Sequence, residues 1–250
     1  MSHSREVRPH AHEIKFVVPS ALAHQIRQWA RTELDADPHG GGPFGDEYRT
    51  SSLYLDNGAL DVFHRRGSSG RSKYRIRRYG TADVVFLERK MRQPAVLAKR
   101  RTTVPIDALA RLAPSVDPRW TGHWFHRRVV ARSLRPVCQV SYLRMARLIH
   151  RDGEPIRLTL DCDLRARPAF GYAFGSEPGL PIMNGDAILE LKYRGPAPTI
   201  FKRLIEEFAL TPRSASKYRI GLQASHAPFA STTAIAGPAW SGPENFAIHA

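Results

Sequence analysis

Residues 72–80 read SKYRIRRYG, and in an extended chain side chains two apart point to the same side. Lys73, Arg75 and Arg77 then share one face of a strand, with Tyr74 and Ile76 on the other. The pattern recurs. Glu13 and Lys15 in HEIKF, Glu88 and Lys90 in FLERKM, and Glu190 and Lys192 in ILELKY stand two apart, as do Tyr142 and Arg144 in SYLRMA. In IRLTLDCD, Arg157, Thr159, Asp161 and Asp163 align on one face. On a single strand this reads as a solvated face opposite a core face, and facing Glu and Lys also blunt a sheet edge. Repeated over so many strands, with cations exceeding acids on the charged faces, it predicts a sheet closed on itself with the charges inside. A barrel of about eight strands has an interior large enough to hold them, and the apolar faces then point outward beneath helices.

Charges removed from water are costly unless paired. Lys and Arg total 38 against 23 Asp and Glu, a formal net charge of +15 over 250 residues, so the missing negative charge points to an anionic partner. A chain of phosphates suits an interior ring of cations, because Arg offers planar bidentate contacts to phosphate oxygens. Glutamates among phosphates are repulsive unless a divalent cation lies between them, and oxygen donors beside phosphate suit Mg²⁺ or Mn²⁺. The two cysteines, Cys138 and Cys162, have no metal-type spacing, which argues against structural zinc and fits a reducing compartment. The N-terminus lacks an apolar signal core and no apolar run matches a bilayer, so a soluble, cytoplasmic chain is expected, though a basic surface can still meet a membrane.

Alternating segments predict strands over 13–18, 48–56, 72–79, 84–89, 101–105, 137–148, 156–165 and 187–193. Helices are expected in PSALAHQIRQWARTEL after Pro19, in WTGHWFHRRVVARSL, and in TIFKRLIEEFAL between Pro198 and Pro212. Residues 38–46 read as a loop, and GGGPFG lacks the lysine and helix entry of a phosphate-binding loop. Residues 170–186 read as a long connection holding a short hairpin. The division expected is a flexible N-terminus over 1–11, one domain over 12–224 and a disordered tail over 225–250. Many strands with helices at the edges, and no regular strand-helix alternation, favour an α+β chain built on an antiparallel barrel or sandwich over a doubly wound sheet. His123, His126, Trp120, Trp124 and Phe125 read as helix packing or surface, and His3, His10 and His12 as part of a mobile segment. Asp161 and Asp163 read as salt-bridge partners on the interior face.

The ordered series EIKF, YRTSSLYLD, KYRIRRYG, VFLERK, KRRTTV, SYLRMA, IRLTLD, ILELKY and SASKYRIG resembles the VTC domain, the polyphosphate polymerase branch of the CYTH or triphosphate tunnel metalloenzyme superfamily. The likeness runs over residues 12–222 and looks like the stand-alone bacterial type, without an inositol-phosphate-sensing module or membrane segments. It implies an eight-stranded antiparallel β tunnel with helices outside, binding ATP and polyphosphate within. It further implies transfer of the ATP γ-phosphate to a growing polyphosphate chain, with release of ADP and a need for Mn²⁺ or Mg²⁺. Carried over by position, Lys15, Arg75, Arg77, Lys90, Arg144 and Lys217 are expected at the reacting phosphates. Lys73, Lys99, Arg100, Tyr142, Arg157, Lys192 and Ser216 are expected as further phosphate contacts, and Glu190 as principal metal ligand with Glu13 and Glu88. A membrane-protein partner is compatible with the resemblance, and no specific nucleic acid is expected. Two rivals share these residues: a tunnel triphosphatase, with Glu13 or Glu88 orienting water, and a non-catalytic polyphosphate or nucleic-acid-binding module. Nucleic acid would more naturally place aromatics beside the cations, and Tyr74 alternates to the opposite face.

Overall fold

The computed structural model describes residues 5–9, 11–92, 96–112, 116–151, 154–176 and 179–226. Strand β1 (Arg5–Pro9) leads through one residue into β2 (Ala11–Val18), and Pro19 then opens helix α1 (Ser20–Glu33). A two-residue strand, β3 (Asp35–Ala36), precedes the long β4 (Glu47–Asp56). Next come β5 (Ser72–Tyr79), β6 (Val84–Arg92) and β7 (Val96–Pro105), and then helix α2 (His123–Ala131). The two longest strands, β8 (Arg135–Arg151) and β9 (Glu154–Pro168), form a hairpin. A short β10 (Leu180–Pro181), β11 (Ala187–Arg194), and helices α3 (Thr199–Glu207) and α4 (Lys217–His226) complete the fold.

Every ladder is antiparallel, in the order β1-β7-β6-β5-β4-β8-β9-β11-β2, with β3 on β8 and β10 on β9. All eight expected strands are present, and β1, inside the segment read as flexible, is a further one. Its position explains how the sheet closes. β1 pairs with β7 at one edge and β2 with β11 at the other, so nearly continuous extended chain joins the two edges of one curled sheet. Contacts across the lumen confirm the curl: Lys90 Nζ on β6 lies 3.1 Å from Glu13 Oε2 on β2, and Arg77 Nη2 on β5 donates to Tyr142 Oη on β8 at 3.0 Å.

The alternation places the apolar faces outside, as the sequence predicts. Phe16, Val18, Leu158, Leu160, Leu189 and Leu191 pack beneath α1 and α3, where Ile26, Ala30, Phe201 and Leu204 come down onto them. On the other wall, Leu53, Tyr74, Ile76, Val85 and Leu87 pack under α2 through Trp124, Phe125 and Val129. Full burial of a side chain of this size contributes about 1.5–3 kcal/mol, and these two layers hold most of the largest buried apolar groups. The helices are shorter than their sequence patterns: α2 starts at His123 and α3 ends at Glu207, where Ala209 turns with φ +47°. In the 170–186 connection, Leu180–Pro181 pairs back onto Arg165 and Ala166 of β9 in place of an internal hairpin.

A third apolar cluster is inside the barrel, and it was not foreseen. Val140, Tyr142, Leu164, Ala166 and Ile188 lie on the lumen side of β8, β9 and β11, and α4 covers them with Tyr218 and Leu222. Gly221 permits this approach, since a Cβ there would stand 2.4 Å from Val140 Cγ2 and 3.4 Å from Ala166 Cβ. Tyr218 stacks on Tyr54, with ring centroids 5.4 Å apart, and donates to the Asp56 carboxylate. Helix α4 therefore closes one end of the tunnel. Ser225 and His226 belong to α4, and the rest of the expected tail lies outside the described residues, as do His3 and His10. His12 is held by stacking on Tyr193, with centroids 5.1 Å apart.

Candidate active site

The strand SKYRIRRYG delivers Lys73, Arg75 and Arg77 to the lumen. Arg75 Nε meets Glu88 Oε2 at 2.5 Å on the neighbouring strand. The deeper Arg77, 4 % exposed, donates to the hydroxyls of Ser52 and Tyr142 and also bonds the Tyr79 hydroxyl. Lys73 Nζ donates to Ser216 Oγ at 3.0 Å, just ahead of α4. Neither Arg77 nor Lys73 has a carboxylate in ion-pair range among the described residues, so both charges are left for a ligand to meet.

On the opposite wall, β2 and β11 run side by side with Glu190 opposite Lys15 and Lys192 opposite Glu13. Lys15 Nζ bridges the two carboxylates, at 2.9 Å from Glu13 Oε1 and 3.1 Å from Glu190 Oε1. Lys192 lies 2.8 Å from Glu190 Oε2, and Lys90 reaches over from β6 to Glu13. The row continues onto β8, β9 and α4. Arg144 forks onto Asp161 at 2.5 and 2.7 Å, while Lys217 spans Asp161 Oδ2 at 2.6 Å and Glu190 Oε1 at 3.3 Å. Arg157, at the side, meets Asp37 at 2.7 Å and the Tyr48 hydroxyl at 3.1 Å. Among the described residues, the buried Thr50 and Thr159 hydroxyls and Arg157 Nε have no hydrogen-bond partner.

Burial and the neighbouring charges shift these groups according to the partner each one has. Burial would raise Glu13, but Lys15, Lys192 and Lys90 outweigh it and hold the carboxyl down at about 2. Glu190 lies well below its ordinary value because Lys192, Lys217 and Lys15 overcome burial. Burial, together with Lys15 and Lys90, pulls Lys73 down to about 8. Burial and Arg101 likewise bring Lys99 to about 8 in spite of Glu88. Tyr79 drops to about 8, since Arg77 and Arg101 overcome its burial. Lys15 and Lys217, by contrast, are raised because Glu190 with Glu13 or Asp161 outweighs their burial, so the lowering falls on particular lysines, and an entering polyanion would reverse it there.

Most of the residues singled out in the sequence converge here: Lys15, Lys73, Arg75, Arg77, Lys90, Lys99, Tyr142, Arg144, Arg157, Lys192, Ser216 and Lys217, with Glu13 and Glu190. Three are placed otherwise. Arg100 points out of the barrel, its guanidinium 4.4 Å from the Trp124 ring centroid, because the alternation that turns Lys99 inward turns its neighbour outward. Glu88 is inside but apart from the other carboxylates, clamped by Arg75, by Arg101 at 2.5 Å and by Lys99 at 3.4 Å. Asp163 leaves the face of Asp161 because the β8–β9 register shifts at this point and Asp163 itself adopts φ +48°. It pairs with Arg49 and Arg165 at an outer pocket of about 430 Å³. Arg101 was missed, although Lys99 and Arg101 stand two apart and the same alternation finds it.

Among the described residues no three His, Cys, Asp or Glu side chains come together as a metal site. A divalent cation that travels with a phosphate substrate needs less: one or two carboxylates, with phosphate oxygens and water completing its shell. Glu190 and Glu13 fit that requirement, since both are ionised oxygen donors and already share one cation, the Lys15 ammonium.

Comparison with known proteins adds the following. The VTC domain family model matches residues 10–226, and no curated protein matches the chain. A Bacillus halodurans protein described as a candidate adenylate cyclase is 16% identical, covering 82% of this chain and 92% of its own, with a TM-score of 0.48. A Hippeastrum candidate adenylyl cyclase, described as having a dominant triphosphatase activity, is 19% identical over 88% of this chain and 98% of its own, with a TM-score of 0.46. A Pyrococcus horikoshii protein is 11% identical over 86% and 99%, with a TM-score of 0.47. Likenesses this distant assign no chemistry.

Proposed function

Because the chain belongs to the VTC domain family, we propose that its tunnel binds ATP and a phosphate chain and transfers the ATP γ-phosphate to that chain, releasing ADP. The observation that carries this reading is Arg77: a buried guanidinium that meets hydroxyls but no carboxylate within ion-pair range among the described residues, in a lumen whose cations exceed its carboxylates. A bound phosphate chain supplies the missing charge through bidentate contacts. A terminal oxygen of the acceptor forms the new bond to the γ-phosphorus, the bond from that phosphorus to the β–γ bridging oxygen breaks, and its electron pair leaves on ADP. The acceptor oxygen is already anionic, so no general base is required. What the protein supplies is alignment and charge stabilisation. Arg75, Arg77 and Lys73 hold one side of the chain, and Arg144, Lys217, Lys15 and Lys192 the other. Glu190, with Glu13, would hold Mn²⁺ or Mg²⁺, which neutralises phosphate oxygens as charge develops on the leaving group.

Closure of one end by α4 favours a second reading, a tunnel triphosphatase, because a short linear phosphate can enter and leave by one mouth without threading. Hydrolysis needs an oriented water. Of the two glutamates considered for that task, Glu88 is engaged by two guanidinium groups, leaving Glu13.

Purified protein incubated with ATP and Mn²⁺, with ADP, orthophosphate and chain products resolved on a gel, separates the two. Phosphate chains appearing with ADP are expected. Orthophosphate without chains moves the assignment to the triphosphatase, and Arg77→Ala should lose turnover in either case. A folded Arg77→Ala protein with wild-type turnover removes the carrying observation.

A further inference from the structure

The outer wall carries a second concentration of cations, away from the lumen. Arg89 on β6 stands opposite Arg100 on β7 in register, and both guanidinium groups lie outside, Arg89 at 5.6 Å from the Tyr74 ring centroid and Arg100 over Trp124. Helix α2 brings Arg128 in its last turn and Arg132 at its C-cap, four residues apart. Their fields act on Arg89. After burial, the proximity of Arg128, Arg132 and Arg100 lowers its proton affinity. Arg89 donates to Ser72 Oγ at 3.3 Å and Met91 Sδ at 3.0 Å, but its buried Nε has no acceptor. Arg132 donates to Ser69 Oγ at 3.2 Å. Among the described residues no carboxylate is within ion-pair distance of Arg89, Arg128 or Arg132, and α2, HWFHRRVVA, contains no acid.

Like charges opposite each other on a ladder, or four apart on a helix, are destabilising. The helix dipole favours Arg128 and Arg132 near a C-terminus and the Tyr74 ring receives Arg89, but neither supplies a counter-ion for Arg89, Arg128 or Arg132. We propose that Arg89, Arg128 and Arg132, flanked by Arg100, form an exterior binding site for an inorganic phosphate chain, separate from the tunnel. Three features select that ligand. Guanidinium groups converging without carboxylates suit tetrahedral phosphate oxygens. Arg89 is half-buried beneath α2, where a slim chain can reach and a flat bilayer surface cannot. The neighbouring rings, Tyr74 at 1 % and Trp124 at 7 % exposure, are too buried to stack nucleic-acid bases. That the phosphates come as a chain rests on the polymerase reading above; the anion site itself does not.

The test is calorimetric titration with inorganic polyphosphate of Arg128→Ala/Arg132→Ala protein, made in wild-type and in Arg75→Ala/Arg77→Ala backgrounds. In the tunnel-disabled background the remaining binding should weaken by about tenfold or more, as expected for lost charge-assisted contacts, and Arg128→Lys/Arg132→Lys should recover part of it. In the wild-type background the titration should lose one class of sites and keep the other. Equal polyphosphate binding with and without the α2 arginines, in folded proteins, overturns the proposal. So does loss of binding to phosphatidic acid vesicles with polyphosphate binding unchanged, which would assign the cluster to a membrane surface. If Arg75→Ala/Arg77→Ala alone leaves polyphosphate binding intact, the tunnel reading fails while the exterior comparison still stands.

Discussion

At the scale of single residues, burial in this lumen lowers the proton affinity of two lysines. Lys73 and Lys99, both near 8, are half-neutral at that pH in the empty tunnel, and a phosphate chain beside them restores their charge. Binding of inorganic triphosphate at about pH 8 should therefore take up protons, and affinity should fall as pH rises through that value. Calorimetry in buffers of different ionisation heat measures the uptake. A buffer-independent heat, or no change on Lys73→Met/Lys99→Met, counts against it. In the empty protein the sign for stability is opposite: between about 8 and the unfolded value of about 10.4 the unfolded chain holds more protons, so these lysines make stability rise with pH there. Glu190 holds Lys15, Lys192 and Lys217 at once. Glu190→Gln should lower thermal stability by about 3–5 kcal/mol, as loss of one partner in a buried ionic group does. It should also raise the Mn²⁺ concentration needed for half-maximal turnover, and an unchanged metal titration would remove Glu190 from that role. Alternation made the lumen legible, because a period of two leaves no freedom about which side a residue faces. It failed where the register broke. A bulge cannot be read from IRLTLDCD, so Asp163 was placed with Asp161; choosing between Lys99 and Arg100 required knowing which parity of β7 faces inward.

At the scale of elements, the strands were legible and α4 was not. SASKYRIGL has the same basic, aromatic and β-branched residues as SKYRIRRYG, and Gly221 weakens any helical reading by about 1 kcal/mol relative to Ala. Packing decides the matter: Tyr218 and Leu222 find an apolar floor inside the barrel, and Gly221 lets the helix axis come close to Val140. Gly221→Ala should therefore destabilise the protein by about 1–3 kcal/mol through overpacking, despite the gain in helix propensity. The melting temperature should be largely recovered in the Gly221→Ala/Val140→Ala double variant, and a melting temperature for Gly221→Ala at or above wild type would show that α4 does not press on β8. Helices α1, α2 and α3 were readable because their buried stripes meet the outer faces of the sheet, the ordinary arrangement from which helical periodicity is recognised.

For the whole molecule, the net charge of +15 includes a lumen whose cations outnumber its carboxylates. Inorganic triphosphate should raise the melting temperature by binding the folded state alone. The increment should shrink strongly in about 1 M salt, where the screening length falls to about 3 Å; differential scanning fluorimetry at two salt concentrations measures this. An increment independent of salt would mean that the ligand is not held by charge.

The seam that closes the barrel also sets when it can close. Strand β2 is synthesised well before its ladder partner β11, Ala187–Arg194, so β2 waits while everything between them is made. Contacts so distant in sequence form slowly, and waiting edges invite association with other chains. Glu13 and Lys15 stand on that waiting strand, and charges on an exposed edge oppose such pairing. The same two side chains that line the lumen of the finished barrel guard the nascent strand.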